Sequence, residues 1–164
     1  MKPFLKWLGI AVVVFLIGAQ FFPVDRTNPP VNPSKTIFAA GIAPPNVQPI
    51  LQRSCADCHS DETHWPWYSH VAPASWQVAS DVHAARGKMD LSQWAAYTDR
   101  QKQDRLDGIC EMVSGGDMPP MQYTLIHRNA VLTQQDRDTL CQWVKSPPAP
   151  PGMTPSAVGG STSK

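Results

Sequence analysis

The run that most constrains this chain is Cys55-Ala56-Asp57-Cys58-His59. Three chemistries use cysteines paired this closely, and each demands a different setting. A dithiol redox site of the thioredoxin kind presents its attacking thiol at a helix start behind a strand. No β-rich segment precedes Cys55. Instead Val47, Ile50, Leu51 and Ser54 fall at i, i+3, i+4 and i+7, one face of a helix that leads into the pair. A zinc site needs four ligands around a tetrahedron, normally as a second close pair. Cys110 and Cys141 lie far apart, and neither has a near cysteine, which leaves His64 and His70 as the extra donors. The third chemistry is covalent haem attachment. Two thiols at this spacing each add to one vinyl group, and the histidine that follows is held beneath the iron as its proximal ligand. On this reading Cys55 and Cys58 are the attachment points and His59 is the first iron ligand.

Such attachment requires an exported chain, and the N-terminus bears on that. Lys2 and Lys6 flank the start of an apolar run over residues 7–22. That run is somewhat short of the roughly 20 residues that span a bilayer. Lys6 can snorkel, and Trp7, Phe21 and Phe22 suit the two interfaces. A cleaved signal peptide is the rival. It wants small residues at the cleavage site, and only Ile17-Gly18-Ala19 comes near. The expectation is therefore an uncleaved N-terminal transmembrane helix over residues 1–22. It places a single-pass protein at the inner membrane, with the remainder in the periplasm.

The 17 prolines gather towards the two ends. Residues 23–45 read as a proline-rich tether, with the hydrophobic Thr36–Ile42 stretch inside it as a possible docking segment. Residues 147–164 read as a disordered tail of proline, glycine and serine. Between them, residues 46–146 carry helical signals. Asn46 can cap the helix that leads to Cys55. Pro73 can open a second helix that Gly87 ends. A third runs from about Ser92 to Val113, broken or bent near Thr98, with Leu106, Ile109, Cys110 and Val113 as its stripe. Thr133, with Asp136 three residues on, heads a last helix that buries Leu140, Trp143 and Val144. No segment of useful length alternates with period two, so the fold class is all-α. With a formal charge of +1 and no basic run, nothing points to nucleic acid.

A second feature answers the first. In Ser114-Gly115-Gly116-Asp117-Met118-Pro119-Pro120, a methionine sits between a helix-stopping glycine pair and two prolines. A loop so bounded can hold a thioether sulfur in place with little entropy left to lose. A haem iron with protein on both faces takes Met or His as its second axial ligand. Met118 is therefore the candidate distal ligand. Met121 is the nearest substitute, and His83 is the foremost of the rival histidines.

The order of these elements, CxxCH early and Met-Pro in a loop before the final helix, looks like cytochrome c. A closer resemblance is to a family of bacterial c-type haem-binding domains. It rests on FPVDRTNPPV (22–31), CADCHSDETHWPWYSHVAPASW (55–76) and GGDMPPMQYTLIH (115–127), then a terminal helix with Trp143. The resemblance implies a cytochrome c-like helical domain around one covalent haem c. It makes Cys55 and Cys58 the attachment points, His59 the proximal ligand and Met118 the distal one. Cys110 and Cys141 depart from that pattern, where aliphatic residues are expected.

The remaining candidates follow from the same frame. Trp65, Trp67 and Tyr68 are expected to wall the porphyrin, with one of them contacting a propionate. Cys110 and Cys141 are the even pair left over in an exported chain, which predicts a disulfide between the helices that flank the Met118 loop. The expected function is electron transfer by a mono-haem c-type cytochrome, with redox proteins at the membrane as partners and no catalytic residue. The alternatives are a haem peroxidase or gas sensor with a displaceable distal ligand, and a structural subunit of a respiratory complex.

Overall fold

Helix starts and stops in this chain follow side-chain chemistry. The computed structural model describes residues 2–39 and 41–145, and among these every regular element is helical. Helix α1 spans Lys2–Ala19, α2 Gln48–Ser54, α3 Ala56–His59, α4 Ala74–Lys88, α5 Asp99–Gly115, α6 Met121–Ile126 and α7 Gln134–Lys145. Short 3-10 turns lie at Pro33–Lys35, Trp67–His70, Leu91–Ala96 and Arg128–Ala130. The tail expected at 147–164 lies outside the described residues.

Helix α5 begins with a reciprocal cap. The Thr98 hydroxyl accepts from the Gln101 amide, and the Gln101 side chain accepts from the Thr98 amide. Of the break or bend expected near Thr98, the structure has the break, with a 3-10 turn on one side and a capped helix on the other. Helix α7 opens the same way. The Asp136 carboxylate accepts from the Thr133 amide at 2.8 Å, and the Thr133 hydroxyl accepts from the Asp136 amide at 3.1 Å.

The N-terminal helix corrects the expected membrane anchor. Among the described residues no helix is long and apolar enough to cross a membrane. The apolar run read as residues 7–22 is not all helical, because α1 ends at Ala19. The helical apolar part, residues 7–19, rises only about 20 Å against a hydrocarbon core of about 30 Å. A single-pass transmembrane helix is thus unsupported, and so is the inner-membrane, periplasmic placement that rested on it. The chain beyond α1 folds back on the domain. The Gln20 side chain exchanges two hydrogen bonds with the Ala72 backbone, at 3.0 and 3.1 Å.

One core holds the domain together. Leu106, Ile109 and Val113 of α5 pack with Leu140, Trp143 and Val144 of α7, joined by Val47, Ile50 and Leu51 from the α2 region and by Trp94. A disulfide joins Cys110 of α5 to Cys141 of α7, with Cα atoms 4.8 Å apart, as the cysteine count predicts. The proline-rich segment contributes to this core. Ile37 is 0% exposed and its amide donates to the Leu91 carbonyl at 2.8 Å. Trp143 Nε1 donates to the Ile42 carbonyl at 2.9 Å. Further back, Arg86 of α4 donates to the carbonyls of Thr27 and Ser60 and to the side chains of Asn28 and Thr63. That guanidinium ties the strap to the loop just after the cysteine motif.

Candidate functional site

The motif is presented by a break between two helices. Helix α2 stops at Ser54, and Cys55 adopts φ −126° and ψ −38° before α3 begins at Ala56. The amides of Cys58 and His59 both donate to the Cys55 carbonyl, at 3.2 and 2.9 Å. This single turn brings both thiols and the imidazole to one place. Both thiols are free. Burial pushes the Cys55 thiol up to about 12 and the Cys58 thiol up to about 11. Such groups stay S–H at neutral pH and are poor nucleophiles for disulfide exchange. Among the described residues no three His, Cys, Asp or Glu side chains converge as a metal cluster.

His59 has the arrangement a metal-binding histidine needs. Its Nδ1 lies 2.9 Å from the Met89 carbonyl oxygen and donates to it. That bond fixes the tautomer and leaves Nε2 with its lone pair free for a metal. Burial pulls the imidazole below its ordinary pKa, against the opposing pull of the Met89 and Ala85 carbonyls, so the ring is neutral at pH 7.

The methionine loop is pinned to the end of α5. Gly116 takes the left-handed conformation, φ +79°, and its amide donates to the Met112 carbonyl. The amides of Asp117 and Met118 reach the same carbonyl at 3.0 and 3.3 Å. Beyond the two prolines, α6 is tied back to the motif. The Tyr123 hydroxyl donates to the Asp57 carboxylate at 2.8 Å, and Asp57 lies between the two cysteines. Burial, and then that carboxylate, hold the Tyr123 phenol well above its usual pKa. The Tyr123 ring also stacks on His127, centroids 4.2 Å apart, and His127 Nε2 is 2.6 Å from the Tyr68 hydroxyl.

These pieces enclose a cavity of about 890 Å³, and Cys55, Cys58, His59 and Met118 all stand on its walls. Its volume falls in the range of about 300–1,000 Å³ usual for ligand sites. Helices α4 and α5 supply small residues to the walls, among them Ala84, Gly87 and Gly108. A Cβ added at Gly87 or Gly108 would meet no atom within 4 Å, so room remains beside both backbones. Ser54 Oγ and Arg105 Nε are buried without a hydrogen-bond partner, and both residues line this cavity. A large planar group with a metal for His59 and Met118, and polar arms for the cationic side chains of Lys88 and Arg105, fits this set of residues.

Other sequence candidates fall elsewhere. Met121 is 74% exposed, and neither it nor the exposed His83 lines the cavity. Trp65 donates its indole N–H to Asn28 Oδ1 at 3.2 Å, and Trp67 is 78% exposed; neither lines a cavity. Tyr68 lines a smaller cavity of about 270 Å³ on the far side of Cys58 and Tyr123. Sequence reasoning missed Ser54 as a cavity wall, Arg105, and the Tyr123–Asp57 bond. The only signal for Arg105 was its place three and four residues before Gly108 and Ile109, on one helix face.

An all-helical domain with a neutral, oriented histidine, two half-buried thiols and a methionine on one apolar cavity belongs to the class of cofactor-binding helical proteins. More narrowly, a family model described as a haem-binding domain matches residues 14–146, and the chain belongs to that family. No curated protein and no solved structure matches the chain.

Proposed function

We propose that this chain is a mono-haem c-type cytochrome that passes electrons between protein partners. The observation that carries the proposal is the single cavity that has Cys55, Cys58, His59 and Met118 on its walls. The bound haem would supply one-electron chemistry at its iron. The chain supplies everything that positions and tunes it. Cys55 and Cys58 would hold it through thioethers, each thiol supplying the sulfur and the hydrogen for one vinyl group. His59 offers Nε2 while Nδ1 stays on the Met89 carbonyl. Met118 offers a thioether, a ligand that raises the reduction potential relative to a second histidine. With His59 and Met118 both given to the iron, the protein would leave no coordination site for a substrate, and the buried Ile109 and Val113 would present apolar surface to the group.

The test is spectroscopic. The full chain, expressed with a c-type maturation system, is expected to give a pyridine haemochrome with two thioethers and a methionine-to-iron charge-transfer band when oxidised. The reduced protein is expected to exchange electrons quickly and not to bind CO. Failure to acquire haem would overturn the cofactor assignment. Ready CO binding would overturn the carrier reading in favour of a sensor or peroxidase with a displaceable Met118.

A further inference from the structure

The helix α5 wall of the cavity carries a cation that the structure leaves without an anionic partner among the described residues. Arg105 sits on α5 with Gly108, Ile109 and Met112 on the same face, and all four line the cavity. Its guanidinium lies 3.8 Å over the Tyr97 ring centroid. The Tyr97 hydroxyl is in turn fixed, accepting from the Asp90 amide at 2.9 Å. Nη1 donates to the Gln101 carbonyl of its own helix at 3.0 Å. Nε is sealed within the protein, whereas Nη2 is accessible and has no partner, and Arg105 takes part in no ion pair among the described residues. Asp104, the neighbouring carboxylate on this wall, does not pair with it. A guanidinium has five donors in a rigid fork that matches a carboxylate. Here the fork is stacked in place, half-buried at the edge of an apolar cavity, with one donor engaged.

We propose that Arg105 is the acid-recognition residue of this cavity and receives a propionate arm of the haem. The inference rests on the haem reading above. A porphyrin tethered through its vinyl groups at Cys55 and Cys58 carries its two propionates on the opposite edge, away from the motif and towards other walls. A carboxylate there would meet the accessible, unpartnered Nη2 of the guanidinium. Lys88, at the end of α4, lines the same cavity and adds a second positive charge. Unlike Trp65, Trp67 and Tyr68, these two residues offer donors to the large cavity.

The test uses the full-length, haem-free protein with its thiols reduced, titrated with haem and with haem dimethyl ester. The wild type is expected to prefer the free acid by about 10–100-fold, the worth of one charge-assisted pair. Arg105→Gln is expected to lose most of that preference, and Arg105→Lys to keep a good part of it, which separates charge from folding. In the covalently loaded protein, Arg105→Gln is expected to lower the reduction potential, because an unpaired propionate favours the ferric state, with the thioethers and the methionine band retained. Equal affinity of the wild type for acid and ester overturns the proposal without any variant. An undiminished preference in Arg105→Gln overturns the assignment to Arg105. Binding of neither porphyrin, together with no haem after maturation, strikes at the haem reading itself and not at this residue alone.

Discussion

Met118 is held by its neighbours more than by burial. Three successive amides, those of Gly116, Asp117 and Met118, converge on the Met112 carbonyl, and Tyr123 anchors the helix that follows. Replacing Met118 with His is therefore expected to keep haem attached but lower its reduction potential, because imidazole stabilises ferric iron better than a thioether. Met121→Leu is expected to leave both potential and spectrum unchanged, since its side chain is exposed and off the cavity. A potential that moves with Met121 and not with Met118 would reverse the assignment. At this scale the site was largely legible. Cysteine spacing exposes the motif, and glycine and proline around Met118 expose the loop, because both are punctuated by residues with strong local rules. Arg105 was not legible. In Asp-Arg-Gln-Lys-Gln-Asp-Arg it reads as one of several solvated charges, and only the tertiary position of Tyr97 and the cavity separates it from Arg100.

Helices were legible where a cap or a long stripe announced them, and not where they were short. Helix α6 has six residues, too few to show a period, and its existence follows from Pro120 and the Tyr123 bond. At the start of α7, Asp136 can be tested by pH. Burial opposes its ionisation, but the two Thr133 bonds and then Arg53 outweigh that and depress its pKa. A depressed carboxylate contributes stability above its unfolded value of about 3.9, and that contribution fades as pH falls through the folded value. Asp136→Ala is expected to cost about 1 kcal/mol near pH 7, with wild type and variant converging in urea denaturation as pH falls through the depressed folded value. A gap that persists in strong acid would show that packing, not ionisation, supplies the effect. The disulfide between α5 and α7 closes a loop of sequence separation 31. Its reduction is expected to lower stability by about 3–4 kcal/mol in the chain-entropy account. Alkylation of the denatured, unreduced haem-loaded protein should modify neither Cys110 nor Cys141.

At the scale of the molecule, the proline-rich strap is a structural member. Ile37 is sealed into the core, and Asn28 meets both Arg86 and Thr63. The sequence marks Thr36–Ile42 as a docking segment, and Ile37 and Ile42 dock; isolated apolar residues among prolines show no period, so which of them are buried follows only from the tertiary fold. Ile37→Ala is expected to cost about 2–4 kcal/mol, and a chain starting at residue 46 is expected to unfold at markedly lower urea than one starting at residue 23. Equal midpoints would mean the strap rides on a domain that does not need it. The misread element was α1, where an apolar composition suggested a span that the helix length does not deliver. The placement of the four cysteines has a further consequence. Cys110 and Cys141 line neither cavity, while Cys55 and Cys58 stand on the wall of the large one with their protons held tightly. The fold thus sorts its sulfur into two compartments. In the folded chain a thiol reagent small enough to enter the large cavity therefore meets Cys55 and Cys58, while the other pair is already spent on the bond between α5 and α7.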